Sequence, residues 1–233
     1  MTPKVSIITS IHKGEKYISH FLNDITKQTI FNDCELILVN AASPENEKVY
    51  IDPFLEMYDN IKYFELNADP GIYATWNLAI ENSTAQYITN ANLDDSKAPW
   101  CIEEQAFTLD NNPDIDLVYG ETLETKTPLE TFLQNTADRI FSCPEFSLEE
   151  LLKINIPHAS PMWRRSIHDK HGHFNPEFKY CGDYDMWVRA ARKNSLFKKI
   201  NSHLALYYRN PEGLSTKKEN IKEATEEFKK IKS

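Results

Sequence analysis

The sequence predicts an α/β fold, a mostly parallel central sheet flanked by helices, in a single domain with a C-terminal helix. Short, β-branched and almost continuously apolar runs, as expected of strands covered on both faces, alternate with segments of helical period. Strand, helix, strand, helix, strand over residues 4–66 is the order that right-handed parallel crossovers produce. Each early strand also exits into polar residues, where such sheets place their ligands.

The elements follow in chain order. KVSIITSI, residues 4–11, is the first buried strand. GEKYISHFLNDITKQT then sets Tyr17, Ile18, Phe21, Leu22 and Ile25 at helical spacing. CELILVNAAS is the second strand, ending at Asn40 and Ser43; a helix near residues 45–57 leads to the third, IKYFEL. GIYATWNLAIENS is a helix entered through Asp69, Pro70 and Gly71, and AQYITNANLDD is the fourth strand with an acidic exit. PWCIEEQAFTLDNNP reads as a helix and IDLVYGETLE as a strand. Residues 125–149 are less regular, a loop with short helices, before SLEELLKIN opens on a capping box of Ser147 and Glu150. The tail, KKENIKEATEEFKKIKS, puts Ile221, Ala224, Phe228 and Ile231 on one stripe. Residues 1–215 are therefore expected to form the main domain. Residues 216–233 are expected to form an amphipathic helix packed on it, with docking to a partner or a membrane surface as the minority alternative.

Composition limits the function classes. With 41% hydrophobic, 12% aromatic and 26% charged residues, the chain can fill a core. A formal net charge of -9 argues against nucleic acid as a partner. Cys34, Cys101, Cys143 and Cys181 form no CxxC pair, so reduced thiols in a cytoplasmic protein are expected. No apolar run reaches spanning length, which leaves association with the inner face of a membrane to a partner or to a further segment of a larger protein.

The strand exits are Ser10–Lys13, Asn40–Ser43, Asn67–Gly71 and Asn92–Ser96. Neither GxGxxG nor GxxxxGK[ST] is present, which lowers the case for a hydride-transferring dinucleotide enzyme and for a P-loop phosphotransferase. Any bound diphosphate needs a cation to screen it. Adjacent Asp94 and Asp95 suit Mg²⁺ or Mn²⁺, which take one or two carboxylates and leave other positions to phosphate and water. Capping of the next helix is the bland alternative. CGDYDMWVRAARK adds Asp183 and Asp185 ahead of a helix, where each suits a general base, a cap, or an ion pair with Arg189 or Arg192.

The ordered set VSIITSIHKGEKYISHFLNDITKQT, CELILVNAAS, NADPGIYATWNLAIENSTAQYITNANLDD and CGDYDMWVRAARK, with the weaker LALYYRNPEGLST, resembles a family 2 glycosyltransferase of the GT-A fold. The resemblance covers nearly the whole chain. It implies an inverting enzyme with a nucleoside-diphosphate sugar donor, usually a uridine nucleotide, and Mn²⁺ or Mg²⁺ as cofactor. The acceptor is expected to be a hydroxyl of a glycan, lipid-linked or protein substrate, in surface glycan or polysaccharide synthesis. By position it assigns Ser10, Ile11, Asn40, Asp69, Gly71 and Asn77 to the nucleotide site, Asp95 to the metal, and Asp94 to ribose or metal. Asp183 takes the general-base position, with Asp185 as second choice.

Three departures stand out: VNAAS for VDDGS, Asn92 at the first acidic position of the metal motif, and Gly182 where the base motif often has Glu. His158 and His203 are candidates for an added metal ligand or a phosphate contact, against the default of a structural histidine. Trp76, Trp163 and Trp187 are core aromatics by default or sugar platforms. Trp163, followed by Trp187, is the acceptor candidate, because PMWRR is expected to cross the pocket below the base. The alternatives are a catalytically silent sugar-nucleotide-binding or scaffold domain and, less favoured, a nucleotidyltransferase, for which TSIHKGEK is a poor triphosphate loop.

Overall fold

The computed structural model describes residues 2–232; Met1 and Ser233, the outer ends of the two expected ranges, lie outside the described residues. Four strands build a parallel half-sheet: β1 (Val5–Ile11), β2 (Cys34–Asn40), β3 (Ile61–Glu65) and β4 (Tyr87–Asn90). The crossovers between them contain α1 (Glu15–Ile25), α2 (Lys48–Met57) and α3 (Ile72–Glu81). Then come β5 (Ser96–Lys97), α4 (Cys101–Asp110), β6 (Leu117–Thr125), β7 (Arg139–Phe141), α5 (Leu148–Lys153) and β8 (Met162–Arg164). The chain continues through α6 (Ser166–His171), α7 (Gly182–Arg192), β9 (Phe197–Tyr208) and α8 (Ile221–Lys232).

The sheet runs β3-β2-β1-β4-β8-β6-β9-β5, with β7 on the side of β6. Beyond β4 it becomes mixed: β8 is antiparallel to β4 and β6, β5 is antiparallel to β9, and β6 is parallel to β9. Side chains alternate between two core layers with the period of a strand. Ile8, Ile37 and Val39 join a layer with α3 and α7, whereas Val5, Ile7, Leu36 and Leu38 join one with α1 and α4. Ser147 caps α5, its hydroxyl accepting from the Glu150 amide at 3.0 Å, as the capping box requires.

The short β8 lies inside this sheet, and it moves two expected site residues. Met162 faces one layer and Trp163 the other. Trp163 and Trp187 are 0% and 1% exposed, with ring centroids 5.1 Å apart. An acceptor sugar has no face of either indole to stack on, so both are core aromatics. The 12-residue β9 also lies in a stretch whose polar interruptions, Asn201 to His203, hide its alternation. The last helix, α8, packs Phe228 on Tyr184, with rings 4.4 Å apart, and buries Ile231. Among the described residues no helix is long and apolar enough to cross a membrane.

Candidate active site

Three of the polar strand exits are stitched together. After β1, the His12 ring nitrogen Nδ1 lies 3.2 Å from the Ala41 carbonyl and 3.9 Å from Asp69 Oδ2. Asp69 Oδ1 accepts from the Gly71 amide at 2.8 Å, in the tight turn that starts α3. Gly71 has φ +87°, a conformation that a Cβ disfavours. Ser10 is partly exposed at the end of β1, and Asp69 is exposed. Glu47 ties the loops after β1 and β2, its Oε1 accepting from the Gly14 amide at 2.7 Å and the Ser43 hydroxyl at 2.6 Å.

The fourth exit carries the acidic turn. Asp95 Oδ1 accepts from the Tyr208 amide and Oδ2 from the Asn92 side chain, both at 3.0 Å. Asp94 Oδ2 accepts from Asn210 Nδ2 at 3.0 Å. The pairing of β5 with β9 holds this turn against the end of β9. Burial first, and the Asp94 carboxylate second, push the Asp95 pKa up to about 8. Among the described residues the hydrogen bonds to this pair come from neutral donors, and Lys97 acts on Asp95 only through its charge. Among the described residues no group of three or more His, Cys, Asp or Glu side chains could hold a metal ion. Two hard oxygen donors with lone pairs to spare nevertheless fit a site that diphosphate oxygens and water complete.

Asp183 stands in the first turn of α7, where the helix N-terminus favours negative charge. Its Oδ2 accepts from Asn155 Nδ2 at 2.7 Å, and its Oδ1 lies 3.0 Å from the Tyr73 hydroxyl. That hydroxyl is also 2.9 Å from the Tyr180 carbonyl. A phenol has one proton, so it cannot donate fully to both acceptors. When it donates to Tyr180, a protonated Asp183 completes the set. Burial, the dominant influence, raises the Asp183 pKa in the same direction and holds Tyr73 well above the usual phenol range. A carboxyl so placed can take up and hold a proton. Contacts link the two acidic positions: the His158 amide bonds the Asn155 carbonyl at 3.2 Å, and the His158 ring meets Tyr207, the neighbour of Tyr208, at 5.1 Å.

Several expected residues have other work. Asp185 is two positions from Asp183 and so faces away from it on the helix; it pairs with Arg189 at 2.8 Å, and Arg189 in turn holds the His171 and His173 carbonyls. Asn77 clasps the Phe174 backbone with both amide atoms, at 2.8 and 3.0 Å, rather than facing a nucleotide. Asn40 is buried, with Oδ1 on the Ser43 amide at 2.7 Å and Nδ2 on the Tyr63 hydroxyl at 3.2 Å. Ile11 turns its side chain fully into the core, and its carbonyl accepts from Ala41. His203 pairs with Glu121 at 3.3 Å. It is five residues before Tyr208, roughly 16 Å back along β9, so it does not join the acidic turn.

Tyr73, Asn155 and Asn210 were not singled out from the sequence. Tyr73 had left a signal: with Trp76, Ala79 and Ile80 it completes a buried stripe on α3, where a phenol needs a polar partner. It also explains Gly182, because a Cβ there would lie 2.6 Å from the Tyr73 ring.

A GT-A fold carrying paired acids at a strand exit and a carboxyl at a helix start defines a glycosyltransferase class. The model of Glycosyl transferase family 2 matches residues 6–174, and the chain belongs to that family. It is 27% identical over 199 residues to an uncharacterized glycosyltransferase of Rickettsia typhi, an alignment covering 84% of this chain and 61% of that relative. It is 26% identical to another from Rickettsia felis, covering 82% of this chain and 32% of that one. The chain thus spans only part of the relatives' length. Among solved structures, S. aureus TarS 1-349 in complex with UDP-GlcNAc superposes with a TM-score of 0.77 at 16% identity, covering 98% of this chain and 66% of that one. The mannosyltransferase PcManGT of Pyrobaculum calidifontis, in complex with GDP-Man and Mn²⁺, gives 0.75 at 14% identity, covering 100% and 65%.

Proposed function

We propose that this chain moves a sugar from a nucleoside-diphosphate sugar, a UDP-sugar first among the choices, to an acceptor hydroxyl with inversion at the anomeric carbon. The observation that carries the proposal is the linkage of two acidic positions through Asn155, His158 and Tyr207. Asp183 accepts the proton of the attacking hydroxyl, while Asn155 and Tyr73 hold its carboxyl in place. Asp95 and Asp94 hold Mn²⁺ or Mg²⁺. The cation, when bound, neutralises diphosphate charge and stabilises the leaving group. Ser10, Asp69 and the Gly71 turn border the nucleotide. The UDP-GlcNAc and GDP-Man present in the two neighbouring structures support a nucleotide-sugar donor. Synthesis of a surface glycan or polysaccharide, in the cytoplasm or at the inner membrane face, is the role we assign, with this chain acting alone or as a module of a longer protein.

The test combines binding with turnover. Thermal shift with a panel of nucleotide sugars and Mn²⁺ identifies the donor, since a ligand at 100 times its Kd stabilises by about 2.7 kcal/mol. Asp183→Asn then keeps donor binding within about twofold and loses transfer by about 10²- to 10⁴-fold. Donor binding with neither transfer to any acceptor nor hydrolysis would instead favour the silent binding domain. That rival draws on Asn40, whose amide is spent on Ser43 and Tyr63.

A further inference from the structure

The last helix makes an unusual set of contacts for an element that merely covers apolar surface. Glu227 Oε1 accepts from the Lys179 amide at 2.8 Å, and Oε2 accepts from the Tyr180 and Cys181 amides, both at 2.9 Å. These three consecutive N–H groups lead directly into α7, whose N-cap residue, Cys181, makes no side-chain cap of its own. A carboxylate from another helix therefore gathers the donors that a local cap would otherwise leave alone. One turn earlier, Glu223 accepts from Lys179 Nζ at 3.0 Å and the Tyr180 hydroxyl at 3.2 Å. Cys181 Sγ lies 3.5 Å from the Ala224 carbonyl, and Phe228 stacks on Tyr184. Residues 223, 224, 227 and 228 share one helix face, so a single rigid element makes all these contacts.

The same backbone reaches the reacting carboxyl. Glu227 holds the Tyr180 amide; the Tyr180 carbonyl, on the far side of that residue, lies 2.9 Å from the Tyr73 hydroxyl; and that hydroxyl lies 3.0 Å from Asp183, so the two acceptors compete for its one proton. We infer that Glu227 is a positioning residue for Asp183, acting through the 179–181 backbone and the Tyr73 hydroxyl. The inference rests on the transfer reading above. Hydrophobic packing of α8 needs only Phe228 and Ile231. A carboxylate with three backbone donors fixes where the Tyr180 carbonyl stands, and therefore which acceptor the single Tyr73 proton serves.

Glu227→Gln replaces one accepting oxygen with an NH₂ group that faces N–H donors. In the full chain we expect kcat for transfer to fall about ten- to a hundredfold, the scale of a small misplacement at a reacting group. The donor KM stays within about twofold, because that residue touches no donor-binding element. Glu227→Asp, which keeps the charge, recovers part of the loss, and it carries the same test should the glutamine variant not fold. The deciding readout is a double-mutant cycle with Tyr73→Phe: once the hydroxyl is gone, the same change at Glu227 costs at most about twofold. Amide hydrogen exchange at residues 180 and 181, measured without substrate, accelerates in Glu227→Gln. If the wild-type chain transfers sugar but the two losses multiply, or only stability changes, the positioning role is overturned while the transfer reading stands. A wild-type chain that transfers nothing refutes the transfer reading, and this inference with it.

Discussion

Loading the acidic turn with a divalent cation should release a proton, and the pKa of Asp95 sets how much. Burial and Asp94 raise it from 3.8 to about 8, so at pH 7 the metal-free acidic pair retains a proton that solvated carboxylates would have lost. A cation binds the ionised carboxylates, and binding at pH 7 therefore expels close to one proton. Apparent Mn²⁺ affinity rises about tenfold per pH unit from pH 6 toward 8 and levels off above it. Stability moves the other way in chelator. The folded state prefers the protonated acid, so the contribution is complete below pH 3.8 and is lost as pH rises to about 8, at no more than about 1.4 kcal/mol per pH unit. Titration calorimetry in two buffers of different ionisation enthalpy measures the proton count, and Asp95→Asn removes both the release and the pH slope. Metal binding with no proton release at pH 7, or with an affinity flat from pH 6 to 8, would refute the placement of the cation at Asp95.

Further consequences are open to test. Ala42 has φ +50°, the left-handed region that costs a side chain about 1 kcal/mol, so Ala42→Gly should raise the urea midpoint despite its entropic cost; a lowered midpoint would show that the loop is unstrained. Trp163→Ala should cost about 3–5 kcal/mol in urea unfolding, because the indole is a core group; a normally stable variant defective only in acceptor use would restore Trp163 to the acceptor site. Gly182→Ala drives a Cβ to 2.6 Å from the Tyr73 ring, which should cost about 1–3 kcal/mol and slow transfer. Unchanged stability and turnover would show that the ring moves aside freely.

The parallel half of the sheet is legible because β1, β2 and β4 are buried on both faces, which leaves few polar residues to blur the pattern. The seven residues of β2 are all buried, and the sequence CELILVN says so directly. β8 is three residues long, between Pro161 and Arg165, so no period could mark it. Without that strand the sequence leaves Trp163 open between its default as a core aromatic and an acceptor platform, and its burial decides for the core. The acidic residues were legible as chemistry but not as direction. Asp183 and Asp185 look interchangeable in CGDYD, and only the turn of α7 sends one to Asn155 and the other to Arg189. The partners of Asn77 and His203, Phe174 and Glu121, are remote in the chain, so no local pattern announces them.

The departures from the family pattern make physical sense when taken with their partners. Ala42 keeps a left-handed backbone at the position where the pattern has glycine, and the Asn40 side chain accepts from Ser43 to close that loop. The absence of a side chain at Gly182 leaves space that the Tyr73 ring fills, and the ring carries its hydroxyl to 3.0 Å from Asp183. A neutral phenol beside the base has a different consequence from a carboxylate. A neighbouring anion would raise the Asp183 pKa further by repulsion, whereas a hydroxyl that donates to Asp183 favours its ionised form. The Tyr73 bond does act in that lowering direction, against the larger effect of burial. Tyr73→Phe should accordingly move the acid limb of the transfer rate to higher pH, because Asp183 loses a donor while burial remains. A pH–rate profile whose acid limb stays in place would mean that Asp183 is not the group titrating there.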